Sequence, residues 1–119
     1  MKWIRVTEAA NIPMREGRSV RIGDDELAIF NLGDRYVAVG NACPHRGGPL
    51  CDGIVSGPTV VCPLHGWKIS LDSGNVLKPE VCVKVDAYPL RIEDGIILIQ
   101  IENTSLEVVP ASPKQSLHL

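Results

Sequence analysis

Two short runs decide how this chain reads: Cys43-Pro44-His45-Arg46-Gly47-Gly48-Pro49-Leu50 and, further along, Cys62-Pro63-Leu64-His65-Gly66-Trp67. Each offers one thiolate and one imidazole, spaced Cys-x-His in the first and Cys-x-x-His in the second. Each cysteine is followed by a proline, which holds φ near −65° and removes a backbone donor. Gly47, Gly48 and Gly66 permit positive φ and close backbone approach. Loops of this composition turn sharply and leave amide N–H groups able to point at anionic sulfur.

Two chemistries accept two cysteines and two histidines. A structural zinc ion takes such a set in a closed tetrahedron, but its frameworks usually pair like with like, two cysteines and then two histidines. One cysteine and one histidine per arm suits instead a two-iron, two-sulfide cluster with both thiolates on one iron and both imidazoles on the other. The thiolates cancel the charge of the oxidised core and neutral imidazoles add none, so such a site becomes negative only on reduction. An all-cysteine site starts more negative, and exchanging two thiolates for histidines raises the potential into a range of roughly −150 to +300 mV.

The two runs resemble the cluster arms of Rieske iron–sulfur domains. That resemblance implies a Rieske-type 2Fe-2S cluster held by Cys43, His45, Cys62 and His65, and a role in electron transfer. It also implies an all-β Rieske fold, an antiparallel sandwich or barrel base domain with a small cluster-binding sub-barrel. High-potential Rieske proteins carry two extra cysteines that bridge the arms, and serine and tyrosine hydroxyls two and four residues after the second histidine. Here Gly48 and Leu64 stand at the cysteine positions, and Trp67 and Ile69 at the hydroxyl positions. The resemblance therefore implies no loop disulfide and a potential at the low end of the range.

Beyond the arms, Gly53-Ile54-Val55-Ser56-Gly57, Trp67-Lys68-Ile69, residues 78–85 and Tyr88-Pro89-Leu90 are similar to the small subunit of assimilatory NAD(P)H-dependent nitrite reductase. Its implied partner is a large subunit holding FAD, a four-iron cluster and siroheme, which reduces nitrite to ammonia in nitrate assimilation. Rieske-type ferredoxins that pass electrons from a flavin reductase to an aromatic-ring-hydroxylating dioxygenase share most of these runs and form the alternative. Neither reading gives this chain a complete active site, so it reads as an electron-transfer subunit of an oxidoreductase. A zinc-binding interaction module is the third reading, and a colourless protein would favour it.

At 119 residues the chain has room for one domain. Its 12 Lys and Arg stand against 14 Asp and Glu, a net charge of −2, and form no basic stripe. That argues against nucleic acid or an anionic membrane and leaves redox proteins as partners. The N-terminal run is charged and alternating with no apolar h-region, and the longest apolar stretch, residues 96–101, is too short to span a bilayer. A cytoplasmic protein is expected. Cys51 and Cys82 lie outside the arms and read as small buried hydrophobes in a reducing compartment.

Taken in order, strands are expected over 2–6, 19–22, 27–32 and 36–39, then a hairpin of 54–56 and 59–61 about Gly57-Pro58 that delivers Cys62. Further strands are expected over 67–71 and 76–77. After them come an alternating stretch at 81–85 and a hairpin of 88–93 and 96–101 about Asp94-Gly95. Short strands at this spacing point to an antiparallel sheet or barrel. Residues 1–102 form the expected domain, with the cluster-binding part at about 41–79. Residues 103–119 are expected as an extended or disordered tail, with 106–109 its one candidate strand.

Overall fold

The computed structural model describes residues 2–43, 48–64, 66–79, 81 and 83–101, together with the backbone of Val108 and Val109. The strands are β1 (Lys2–Glu8), β2 (Gly17–Ile22), β3 (Asp25–Asn31), β4 (Tyr36–Gly40), β5 (Ile54–Ser56), β6 (Thr59–Val61), β7 (Lys68–Ser70), β8 (Val76–Lys78), β9 (Ala87–Tyr88), β10 (Leu90–Glu93), β11 (Ile96–Ile101) and β12 (Val108–Val109). They pair into three sheets, ordered β1-β11-β10, β12-β2-β3-β4-β9 and β5-β6-β7-β8. Neighbouring strands run antiparallel, as the short strands and tight turns of the sequence require. No helix among the described residues is long and apolar enough to cross a membrane.

Strand β3 holds the molecule together. Its run Leu27-Ala28-Ile29-Phe30 is apolar without alternation, the signature of a strand covered on both faces, and all four residues are buried. Leu27 and Ile29 face a core shared with Val20, Ala38, Ile97 and Ile99, which joins the two base sheets. Ala28 and Phe30 face the opposite way, into a core that contains Val60 and Ile69 of the third sheet together with Cys43 and Cys62. One edge of the Phe30 ring lies against Gly17, its register partner on β2, where an added β-carbon would come within 2.6 Å of the ring.

Turn chemistry sets the hairpins. The β5–β6 hairpin turns through Gly57 at φ 56°, and its strands have the expected bounds. Asp94 and Gly95 both adopt positive φ, 53° and 78°, which matches the twist of the β10–β11 hairpin.

Two expectations fail. The strand expected over 88–93 is broken at Pro89: β9 pairs with β4, whereas β10 pairs with β11 in a different sheet. Proline lacks the N–H a continuous ladder needs, and the chain changes sheets there while the Pro89 carbonyl accepts from the Gln100 N–H at 3.0 Å. The alternating residues 81–85 form no strand among those described, since only the isolated bridge between Asn75 and Lys84 ties them to a neighbour. Val81 and Val83 are exposed while Val85 is buried. Cys82 lies outside the described residues, as does most of the tail. Within the tail, Val108 and Val109 pair with Ile22 and Arg21 and cover the edge of β2.

Truncating Phe30 to Ala should cost about 3–5 kcal/mol of stability, and Gly17→Ala, which drives a methyl group into the ring, about 1–3 kcal/mol. Urea denaturation of the two variants checks both values.

Candidate metal centre

The two arms close in the same way. In the first, the Cys43 N–H donates to the Gly48 carbonyl at 2.9 Å, and Ala42 bridges Pro49 below that closure. In the second, the Cys62 N–H donates to the Trp67 carbonyl at 2.8 Å, and the Gly66 N–H returns to the Cys62 carbonyl at 3.1 Å. The second arm is the tip of the β6–β7 hairpin, whose last register pair is Val61 with Lys68. The first arm leaves β4 and returns through a 3₁₀ turn, Leu50–Asp52.

Both thiols are buried, Cys43 at 2% and Cys62 at 3% exposure. The arms are in contact: a β-carbon placed on Gly48 would sit 3.2 Å from the Cys62 Sγ and 2.8 Å from the Leu64 Cγ. The thiol of one arm thus lies against the backbone of the other, beside the carbonyl that closes the Cys43 turn. Gly48 and Leu64 are the positions at which the resemblance places bridging cysteines in high-potential proteins, and here an apolar contact joins the arms at that point. Lower down, Gly53 is pressed against the Val61 carbonyl, so the end of one arm packs on the start of the other. His45 and His65 lie outside the described residues.

Asn41 was not singled out by the sequence reading. It is 4% exposed, and its amide connects three segments. Its Nδ2 donates to Glu26 Oε2 at 3.0 Å and its Oδ1 accepts from the Cys51 N–H at 2.9 Å. Its backbone N–H donates to the Glu26 carbonyl at 2.9 Å, and its carbonyl accepts from the Leu50 N–H at 2.8 Å. The first arm is therefore tied to the start of β3. An Asn at the end of a strand, opening a Gly- and Pro-rich loop, is the signal that could have found it. Cys51 itself is buried in the same core as the two arm thiols.

Trp67 is half-buried against that core, in keeping with its reading as a covering aromatic, and Ile69 is fully buried within it. The positions of the two sulfur-directed hydroxyls of high-potential proteins are thus given to packing. Asp72 is more than a turn residue: it binds the Arg35 guanidinium with both carboxylate oxygens, at 2.8 and 2.7 Å, linking the β7–β8 turn to the β3–β4 turn. Beside Asn41, Asp24, Asp25, Glu26 and Asp86 line a groove with Lys84 and Tyr88. Burial holds the Tyr88 phenol above its ordinary pKa, and the nearby Asp25 and Asp86 act in the same direction.

Two buried thiols on arms in contact are half of the donor set expected from the sequence. The chain belongs to the Rieske [2Fe-2S] domain family, whose model matches residues 2–89. It is an electron-transfer protein of that family, and its cofactor is a Rieske-type 2Fe-2S cluster, which takes up and releases a single electron. It is 28% identical over 100 residues to the ferredoxin component of the naphthalene 1,2-dioxygenase system of Pseudomonas aeruginosa, covering 84% of this chain and 96% of that protein. The ferredoxin of carbazole 1,9a-dioxygenase from Nocardioides aromaticivorans IC177 shares the fold with a TM-score of 0.79 at 21% identity, over 86% of this chain and all of that one. A Mycobacterium tuberculosis protein described as an NADH-dependent nitrite reductase small subunit superposes with a TM-score of 0.77 at 28% identity, over 86% of this chain and 97% of that one.

Replacing Asn41 by Ala removes the acceptor of the Cys51 N–H from a buried site and should cost about 1–3 kcal/mol. The measurable result is faster loss of the cluster's visible absorption under chelator challenge. With Trp67 and Ile69 in the hydroxyl positions, a redox titration should give a midpoint in the lower half of the range of roughly −150 to +300 mV.

Proposed function

We propose that Cys43 and Cys62 hold one iron of the cluster and His45 and His65 the other, and that this chain is the electron-transferring small subunit of a cytoplasmic NAD(P)H-dependent nitrite reductase. What carries the reading is the likeness to the M. tuberculosis protein, which extends over nearly the whole of both chains at 28% identity. The runs at 53–57, 67–69 and 78–85, which contain none of the four ligands, resemble that subunit as well, and dioxygenase ferredoxins share most of them. In this role the chain delivers one electron at a time to a large subunit that carries the nitrite-reducing site.

A second reading rests on an observation of equal weight. The dioxygenase ferredoxin component of P. aeruginosa is matched over 96% of its length at the same 28% identity. On that reading the chain shuttles electrons from a flavin reductase to an oxygenase.

Reconstitution separates the two. Added to a nitrite reductase large subunit, the chain should raise nitrite-dependent NAD(P)H oxidation, and added to a flavin reductase and a naphthalene-type oxygenase it should not support hydroxylation. The opposite pattern would assign it to the dioxygenases. The ligand set has its own test: protein purified anaerobically should contain iron and sulfide, and on reduction its EPR spectrum should show couplings from two imidazole nitrogens. Cys43→Ser or Cys62→Ser should abolish cluster incorporation, and stoichiometric zinc without sulfide in the unaltered protein would overturn the assignment.

A further inference from the structure

The outward face of the cluster-side sheet differs from its inward face in a way that folding does not require. Strand register places Ile54, Val61, Lys68 and Lys78 in one row across β5, β6, β7 and β8. The alternate row, Val55, Val60, Ile69 and Val76, turns into the core. The outward row lies directly beside the arms, since Val61 precedes Cys62 and Lys68 follows Trp67. Further from the arms β5, β6 and β7 carry hydroxyls on the same face, those of Ser56, Thr59 and Ser70, and on β8 the bulge residue Leu77 is 44% exposed.

Two features of this row have no counterpart among the described residues. Ile54 is 72% exposed, more than any other large hydrophobic side chain among the described residues. Lys68 and Lys78 are register partners across β7 and β8, next to a bulge at Leu77, and two like charges so placed are unfavourable in an isolated sheet. Neither lysine has a carboxylate partner among the described residues, and Asp72, at the end of β7, is already bound by Arg35. Charge is also distributed unevenly over the molecule. Residues 41–79 hold Arg46, Lys68 and Lys78 against Asp52 and Asp72, a net +1 within a chain of net −2, while Asp24, Asp25, Glu26 and Asp86 gather along the base groove.

We propose that this face, apolar at its Ile54 end and cationic at its Lys68 and Lys78 end, is the docking surface for the redox partner, and that the partner meets it with an apolar patch set beside carboxylates. A carboxylate seated between the lysines relieves their repulsion, and covering Ile54 removes apolar surface from water. The uneven charge orients an acidic partner towards the arms before contact. The proposal rests on the electron-transfer reading, but not on the choice between the nitrite reductase and dioxygenase partners.

The test uses the cluster-loaded protein, reduced and then oxidised by ferricyanide or by hexaamminecobalt(III) over a series of ionic strengths. The K68E/K78E variant should react about tenfold more slowly with ferricyanide at low salt and faster with the cobalt cation, both differences vanishing at high salt. The K2E/R5E variant carries the same change in net charge on β1, far from the arms in sequence, and should give much smaller effects. With whichever partner sustains turnover in the reconstitution, isothermal titration should show Kd rising about fivefold or more for Ile54→Ser and for K68E/K78E but not for K2E/R5E. An unchanged absorption spectrum and midpoint potential in each variant shows that the centre itself is intact. Equal effects of the two charge reversals on the small oxidants, or a partner Kd insensitive to both Ile54→Ser and K68E/K78E, would overturn the proposal. Failure of the electron-transfer reading shows differently, as unaltered protein that neither takes up nor gives back an electron.

Discussion

The contact of Gly48 with Cys62 and Leu64 is the constraint on which the rest of this structure depends. Two arms far apart in the chain can serve one centre only if their backbones approach to within the width of a sulfur atom, and a side chain on the first arm at that point would fill the gap. Gly48 leaves the space open, with the Cys62 Sγ 3.2 Å from where a β-carbon would stand. Much of the architecture around the arms holds that distance. The Cys43 and Cys62 N–H groups close their own arms, Gly53 lets the end of the first arm pack on the Val61 carbonyl, and Leu64 covers the join.

The arms are held against the base by β3 and Asn41, which act at different levels. β3 contributes alternate side chains to two cores, so base and cluster-side sheet share a wall, and a shift of one shifts the other. Asn41 works through hydrogen bonds, because the 3₁₀ turn presents the Cys51 N–H to its side chain while its own backbone N–H pairs with Glu26 of β3. One buried amide that satisfies the Cys51 N–H and reaches Glu26 fixes the base of the first arm. Apolar packing sets where the arms stand, and the amide sets how they leave the sheet.

What separates the relatives is not carried by this scaffold. A dioxygenase ferredoxin and a nitrite reductase small subunit share the fold of this chain at nearly the same TM-score, so the fold by itself does not distinguish the two roles. Here the surface beside the arms is apolar and cationic, whereas the acidic side chains gather around the base groove. An uneven distribution of charge of this kind acts on encounter and orientation more than on stability, so it can differ between proteins of one fold without cost to the core.

Much of the fold and half of the centre were legible in the residues themselves. Cys-Pro arms with glycines declare loops built for sulfur, Asp94-Gly95 and Gly57-Pro58 declare their hairpins, and the unbroken run Leu27-Ala28-Ile29-Phe30 carries the chemistry of a strand buried on both sides. These features are local, decided within a few residues by φ preference, missing donors and side-chain period. The alternation of residues 81–85 has the same local signature as a strand, yet among its described residues only the bridge from Lys84 to Asn75 pairs it with a neighbour. The stretch at 88–93 reads as one strand, but Pro89 divides it between two sheets. Asn41 looks like an ordinary loop residue until Glu26 and Cys51 are brought to it, and Lys68 and Lys78 become opposed charges only through the β7–β8 register. Adjacent residues specify the two cysteine-bearing arms and the turns, because φ preference and missing donors act locally. Strand pairing, the meeting of polar groups and the exposure of a face follow from the assembled fold, because each depends on partners distant in the chain.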